Sequence, residues 1–204
     1  GSMGKATPKL YTGGIKVTWE PSSVADKYAV YRTDGNAWTF IDVTEEPQYI
    51  DTNVQSDVVY SYAIGMIIGD SRGIVDTEDV SKIRYIAPPQ NLKGICGNGA
   101  ITISWDSVQG ATGYELWKAD INSEDYRLIA TVTKDELSFQ DKSVVPGIPY
   151  KYVVRAQGAV LTSLDSPALC AEYLEAPVIQ KLTSEFGGVN ITWNNITGAD
   201  EYLI

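Results

Sequence analysis

The 204-residue sequence contains no histidine. Without an imidazole there is no Ser-His-Asp or Cys-His nucleophile pair, no His-ligated zinc and no histidine acid–base chemistry. Cysteine is nearly as scarce: Cys96 and Cys170 are the only two, and they form no Cys-x-x-Cys spacing for a zinc ribbon or a dithiol couple. No apolar run approaches the length of about eighteen residues that a membrane span requires, so no span is expected. Cationic side chains are in deficit, with 16 Lys and Arg against 26 Asp and Glu, a net charge of −10. The excess divides into −4 over residues 5–86, −4 over 87–175 and −2 over the remainder, so it is spread evenly. Phosphate contacts need clustered Lys and Arg, which sets nucleic acid aside as a partner. The negative charge is read as a solubility device. No glycine-rich phosphate loop follows a strand pattern, and no cofactor is expected.

What remains is rich enough to build cores: 44% of the residues are hydrophobic and 21% charged, an ordinary globular composition. The opening Gly1-Ser2-Met3-Gly4 reads as an expression scar. Beyond it the chain repeats. Ile15-Lys16-Val17-Thr18-Trp19 returns as Ile101-Thr102-Ile103-Ser104-Trp105 and again as Val189-Asn190-Ile191-Thr192-Trp193, at spacings of 86 and 88 residues. A tyrosine stands nine residues after each tryptophan: Tyr28, Tyr114 and Tyr202. The segments before each Trp alternate apolar and polar with period two, the pattern of a half-buried strand. Tyr60-Ser61-Tyr62-Ala63-Ile64 and Tyr150-Lys151-Tyr152-Val153-Val154 each begin nine residues after an aspartate, Asp51 or Asp141. Turn residues recur every eight to twelve positions, no stretch has a helical pattern, and about ninety residues with seven short strands is the size of an immunoglobulin-like sandwich.

Trp in the second strand, Tyr-x-Val-Tyr in the third and Tyr-x-Tyr-x-Val in the sixth resemble the fibronectin type III family. The resemblance implies an all-β chain of tandem antiparallel sandwiches, seven strands each. It also implies that Trp19, Trp105 and Trp193 are core residues and that Tyr60 and Tyr150 are tyrosine corners, whose hydroxyls bond backbone at the sandwich edge. Val145-Pro146-Gly147-Ile148-Pro149 matches the family's approach to the corner, whereas Val54-Gln55-Ser56-Asp57 departs from it. Gly198-Ala199-Asp200-Glu201-Tyr202 is most similar to the bacterial branch, found in secreted glycan-active enzymes and cell-surface proteins.

Ala87-Pro88-Pro89 and Ala176-Pro177 mark the junctions, where proline ends a strand and stiffens a linker. The expected organisation is repeat 1 over 5–86, repeat 2 over 87–175 and the start of a truncated repeat 3 over 176–204. Pro8 precedes Trp19 by eleven residues, against sixteen for Pro89 to Trp105 and Pro177 to Trp193, so the first strand of repeat 1 should be short. Repeat 3 has too few strands to bury its own apolar face, and an isolated hairpin is marginal. A second copy of the chain, meeting this one through that face, is the expected partner there.

Few residues lie outside the structural pattern. Cys96 follows the first strand of repeat 2 and Cys170 lies late in the seventh, so they form either a disulfide or two separate buried thiols. Trp38, Trp117 and Tyr31 are not claimed by the core. Tyr31 and Trp117 run out of phase with Val30 and Leu116 and should face outward, where they stack on a sugar ring or simply cover apolar surface. Asp120-Ile121-Asn122-Ser123-Glu124-Asp125 lacks the glycine and the closing glutamate of a calcium loop and reads as a solvated acidic turn. Asp70-Ser71-Arg72-Gly73 has the wrong order for an integrin tripeptide, and Asn190 and Asn195 head formal glycosylation sequons that a bacterial source would leave unused. These residues predict no enzyme and no metal site. They predict a non-catalytic spacer or adhesion module, secreted or on the cell surface of a bacterium. Its expected partners are the neighbouring domains of its own polypeptide, with a polysaccharide or a surface protein as candidate ligand.

Overall fold

Apolar alternation with period two, punctuated by glycine and proline, builds strands and nothing else in the computed structural model, which describes residues 4–204. The first three residues of the expected scar lie outside the described residues. The chain falls into two compact units. One runs to Pro88 and takes in Val108–Thr112 and Arg155–Leu164; the other holds the rest to Ile204, including the strands of repeat 3.

The first unit contains β1 (Thr7–Tyr11), β2 (Gly14–Thr18), β3 (Lys27–Thr33), β4 (Thr39–Thr44), β5 (Gln48–Asp51), β6 (Val59–Ile68), β7 (Ser71–Arg72) and β8 (Lys82–Arg84). One sheet has the order β1-β2-β5; the other has β4-β3-β6-β7, with β8 also pairing β6. All pairs are antiparallel. This is the strand arrangement of a fibronectin type III sandwich. Between the sheets lie Ile15, Val17 and Trp19 against Val30, Tyr60, Tyr62 and Ile64. Expected as short, β1 has five residues, as many as the corresponding strand of repeat 2. Pro8 sits inside it rather than before it, opposite Val17. An edge strand tolerates a residue without an N–H, so the Pro-to-Trp spacing did not measure the strand.

The final strand of repeat 1 is broken in two. β8 pairs Val59–Ser61 and β7 pairs Ile67–Ile68, while residues 73–81 leave the sheet. Gly73 N still donates to Met66 O at 2.8 Å. Val75 then leans over the outer face of β6, where a Cβ on Gly65 would lie 2.9 Å from its Cγ2. Small outer-face residues, Ser61, Ala63 and Gly65, leave room for that cover, and β6 is buried on both faces.

Repeat 2 contains β9 (Lys93–Gly97), β10 (Ala100–Ser104), β11 (Gly113–Asp120), β12 (Arg127–Thr133), β13 (Ser138–Asp141), β14 (Pro149–Gln157) and β15 (Leu169–Glu172). They form the sheets β13-β10-β9 and β12-β11-β14-β15, the same topology as in repeat 1. Ahead of β15 in the chain, serines line the edge of β14. Ser166 N donates to Val154 O at 3.0 Å, and its Oγ accepts from Val154 N at 2.9 Å. The hairpin of β16 (Ile179–Glu185) and β17 (Gly188–Trp193) closes the unit. Its following turn packs on repeat 2: Ile196 is buried, and Thr197 Cγ2 fills the space a side chain at Gly147 (φ 78°) would need.

Candidate functional site

The chemistry most concentrated in the described residues sits beneath each tyrosine corner. Tyr60 closes its corner by accepting the Gln55 amide at 2.8 Å, and Tyr150 accepts the Val145 amide at 3.1 Å. Beside Tyr60, Arg32 on β3 donates through Nη1 to Asp51 Oδ2 on β5 at 2.8 Å and to the Asn53 carbonyl at 2.7 Å. Tyr62 on β6 donates its hydroxyl to the same Oδ2 at 2.7 Å. Since β5 belongs to one sheet and β3 and β6 to the other, the carboxylate clamps the two layers together. Repeat 2 has the same device in other letters. Lys118 Nζ lies 2.7 Å from Asp141 Oδ2 and donates to the Ser143 carbonyl at 2.7 Å, while Tyr152 donates to Asp141 at 2.8 Å. The ammonium rests 4.0 Å from the Tyr150 ring centroid, as the Arg32 guanidinium rests 5.3 Å from that of Tyr60.

Burial alone would raise the Asp141 carboxyl. The hydrogen bonds from Lys118, Tyr152 and the Ser143 amide outweigh it and hold the group below its ordinary value. Burial first, and the adjacent carboxylate second, push the Tyr62 and Tyr152 phenols well above theirs. Arg32 loses by desolvation and gains more from Asp51, ending above its ordinary value. Each clamp pairs a cation on one sheet with a buried carboxylate on the other. The sequence marked Asp51 and Asp141 only by their distance from a tyrosine. The missing signal was a cation four residues after Tyr28 and Tyr114, on the strand that faces them.

Trp19, Trp105 and Trp193 occupy corresponding places, each against the tyrosine nine residues on, with ring centroids 5.5, 5.6 and 5.5 Å apart. Trp19 and Trp105 are buried, whereas Trp193 is half-exposed. Within repeat 1, Tyr31 is half-buried on the outer face and meets Phe40 edge-on at 5.7 Å, and the Arg72 guanidinium covers the Phe40 ring at 5.2 Å. Trp38 is half-buried just ahead of β4 and is not part of that cluster. Trp117, in repeat 2, is half-buried and donates Nε1 to Glu115 Oε1 at 3.1 Å. Phe40, 44% exposed, was not anticipated, because the pairing steps from Val30–Asp42 to Tyr31–Phe40 and the extra residue, Ile41 on β4, sets the side Phe40 takes.

The cysteines are neither bonded nor buried. Both thiols are free and exposed, which corrects both readings of the pair. Gly94 packs beside Leu169 and Ala171, so that side of β9 meets the face of β15 that carries those two residues. Cys96 shares the parity of Gly94 and donates to the Glu172 carbonyl at 3.1 Å. Cys170, between Leu169 and Ala171, points to the opposite face. Among the described residues no group of three Cys, Asp or Glu side chains could hold a metal ion. No helix there is long and apolar enough to cross a membrane.

No family model matches the chain. It is similar to an amylopullulanase of Thermoanaerobacterium thermosulfurigenes, 29% identical over 107 residues, covering 50% of this chain and 6% of that protein. A second amylopullulanase, from Thermoanaerobacterium saccharolyticum, is 32% identical over 68 residues, 33% of this chain and 5% of that one. The chain therefore corresponds to a small fraction of the length of these relatives. Among solved structures, an Fn3-like protein from Clostridium thermocellum is 24% identical, covers 43% of this chain and 93% of its own, and has a TM-score of 0.40. A two-domain fibronectin type III segment of chicken tenascin is 12% identical over 84% of this chain and 99% of its own, with a TM-score of 0.42. The fold assignment rests on the strand order described above.

Proposed function

We propose that the chain is a non-catalytic spacer or adhesion segment of a larger extracellular bacterial protein, built from repeats at 5–86, 87–175 and 176–204. The observation that carries this reading is the clamp that recurs in both complete repeats. Each spends its buried charges on joining one sheet to the other, which stiffens a unit against being pulled or sheared apart. The partners are then the domains on either side in the same polypeptide. Single-molecule stretching tests the reading. Two cooperative unfolding events are expected, and Asp141→Asn should lower the force of one while leaving the other unchanged. Gradual extension without discrete events would overturn it.

A second reading, a carbohydrate-binding module, is favoured by the Tyr31–Phe40 pair on the outer sheet of repeat 1 and by the similarity to proteins named amylopullulanases. Sugar rings stack on exposed aromatic faces much as other flat groups do. A polysaccharide binding screen checks it, with Tyr31→Ala, Trp38→Ala, Phe40→Ala and Trp117→Ala run beside the parent chain. Binding that disappears in Tyr31→Ala and Phe40→Ala and persists in the other two would place the ligand on repeat 1. Silence across the screen would leave the spacer reading alone, with a surface protein as the remaining external ligand.

A further inference from the structure

Repeats 1 and 2 differ at the seam where the first and last strands of each sandwich lie side by side. In repeat 2 the seam is closed. Gly94 of β9 packs beside Leu169 and Ala171 of β15, and Cys96 donates its thiol to the Glu172 carbonyl at 3.1 Å. The registers set the counterparts in repeat 1: Pro8 stands for Gly94, Leu10 for Cys96, Ile83 for Ala171 and Arg84 for Glu172. Leu10 has no donor to offer the Arg84 carbonyl, and a hollow of about 420 Å³ opens along the seam. It lies entirely within the first unit.

Leu10, Ile83, Val160 and Leu161 give the hollow an apolar lining, and Val160 is 75% exposed. Lys9, Lys82 and Arg84 stand around it, and among the described residues no carboxylate lines it. Three of the eight cations of residues 5–86 thus gather at one hollow, in a segment that carries twelve carboxylates. Arg84 Nη1 is held by Asp57 Oδ1 at 3.1 Å. Lys9 and Lys82 are exposed and have no ion-pair partner among the described residues. The volume alone would suit a small molecule. The strand edge selects an extended chain instead. Tyr85 N donates to Val58 O at 3.0 Å, and the register continues with Arg84 opposite Val59 and Ile83 opposite Tyr60. Alternation in an antiparallel pair then turns the N–H and C=O of Lys82 and Arg84 away from β6, toward the seam.

We propose that this seam takes an extended acidic peptide as an added strand on β8, with carboxylates two residues apart and an apolar side chain between them. The inference deepens the adhesion reading, on which it rests, by naming the class of partner and the strand that receives it. Side chains of a strand paired to β8 alternate with period two. Those level with Lys82 and Arg84 share their side, and the one level with Ile83 points into the hollow. A Glu-x-Glu segment with an apolar x meets both demands. Lysines on an edge strand discourage promiscuous pairing, which leaves an acidic strand as the admissible partner. The seam of repeat 2 offers no such site, since Cys96 already occupies the Glu172 carbonyl and an acid stands where repeat 1 has Arg84. An anionic polysaccharide shares the charge but has no regular row of amides to pair with the strand edge. No aromatic ring lines the hollow for it to stack on, among the described residues.

Calorimetric titration of the whole chain with a capped Glu-Val-Glu-Val-Glu peptide, with amide hydrogen exchange read at β8, tests the proposal. Binding is expected, with exchange slowed at the Lys82 and Arg84 amides and unchanged at Ile83, whose amide already serves β6. Lys82→Glu should weaken binding about tenfold, as one attractive rim contact becomes repulsive. Lys134→Glu, an exposed charge reversal in repeat 2, should leave it unchanged. Equal weakening by both variants would reduce the attraction to diffuse charge and overturn the site. Binding without slowed exchange at Arg84 would overturn strand addition. Preference for polygalacturonate over the peptide would give the seam to an anionic glycan and overturn the peptide assignment. No binding up to about 1 mM would overturn this inference alone, because the spacer reading stands or falls on the stretching experiment.

Discussion

Lys118 is 1% exposed, yet each of its obligations is met: Asp141, the Ser143 carbonyl and the Tyr150 ring surround its ammonium. A pair of this kind is costly to halve and cheap to replace whole. Asp141→Ala should therefore destabilise repeat 2 by about 3–5 kcal/mol, while Lys118→Met with Asp141→Leu should recover most of that loss. Urea unfolding midpoints of the two variants check the difference. Tyr150→Phe removes only the acceptor of the Val145 amide and should cost about 1 kcal/mol. The clamp also sets the pH limits of the repeat. Asp141 is held below its ordinary 3.8, so its contribution is complete above that value and is lost as the pH falls through its lower folded value. Tyr152 is held above its ordinary 10.0, so its contribution is complete below that value and is lost as the pH rises beyond it. A thermal melting series should show a plateau between these limits, with Tyr152→Phe flattening the alkaline arm. Loss of stability at neutral pH would contradict both assignments.

At the scale of elements, β10 carries the argument. Ile101 and Ile103 point inward from this strand, and Trp105, directly after it, lies against Tyr114. Trp105→Ala should cost about 3–5 kcal/mol and unfold or nearly unfold repeat 2, visible as the loss of one transition in calorimetry. The strands themselves were legible, because alternation and the Trp-to-Tyr spacing report directly on which side chains turn inward. So were the corners, since Tyr60 and Tyr150 stand at fixed distances from turn residues. Other features were not. The broken last strand of repeat 1 depends on where residues 73–81 rejoin β6, a long-range choice that local pattern does not encode. The cysteines failed for a related reason. Facing requires the parity of each strand relative to the core, and Gly94 supplies no apolar side chain to mark it. Phe40 was hidden by the bulge at Ile41, which breaks the alternation along β4 between Phe40 and the residues after it.

Across the whole molecule, two complete sandwiches share one internal design while differing in the cation at its centre, Arg32 in one and Lys118 in the other. That difference is silent in the folded geometry, since both cations satisfy the same carboxylate and the same kind of carbonyl. It is not silent toward an acylating reagent. Guanidinium resists such reagents, whereas an amine reacts as soon as it is released. Surface lysines such as Lys9 should label at once, and Lys118 only when repeat 2 opens. Mass spectrometry of chains pulsed with an amine-reactive ester should then find Lys118 modified at the rate at which that repeat unfolds. The second repeat thus carries a chemical clock for its own opening, and the first repeat, with arginine in that seat, keeps no such time.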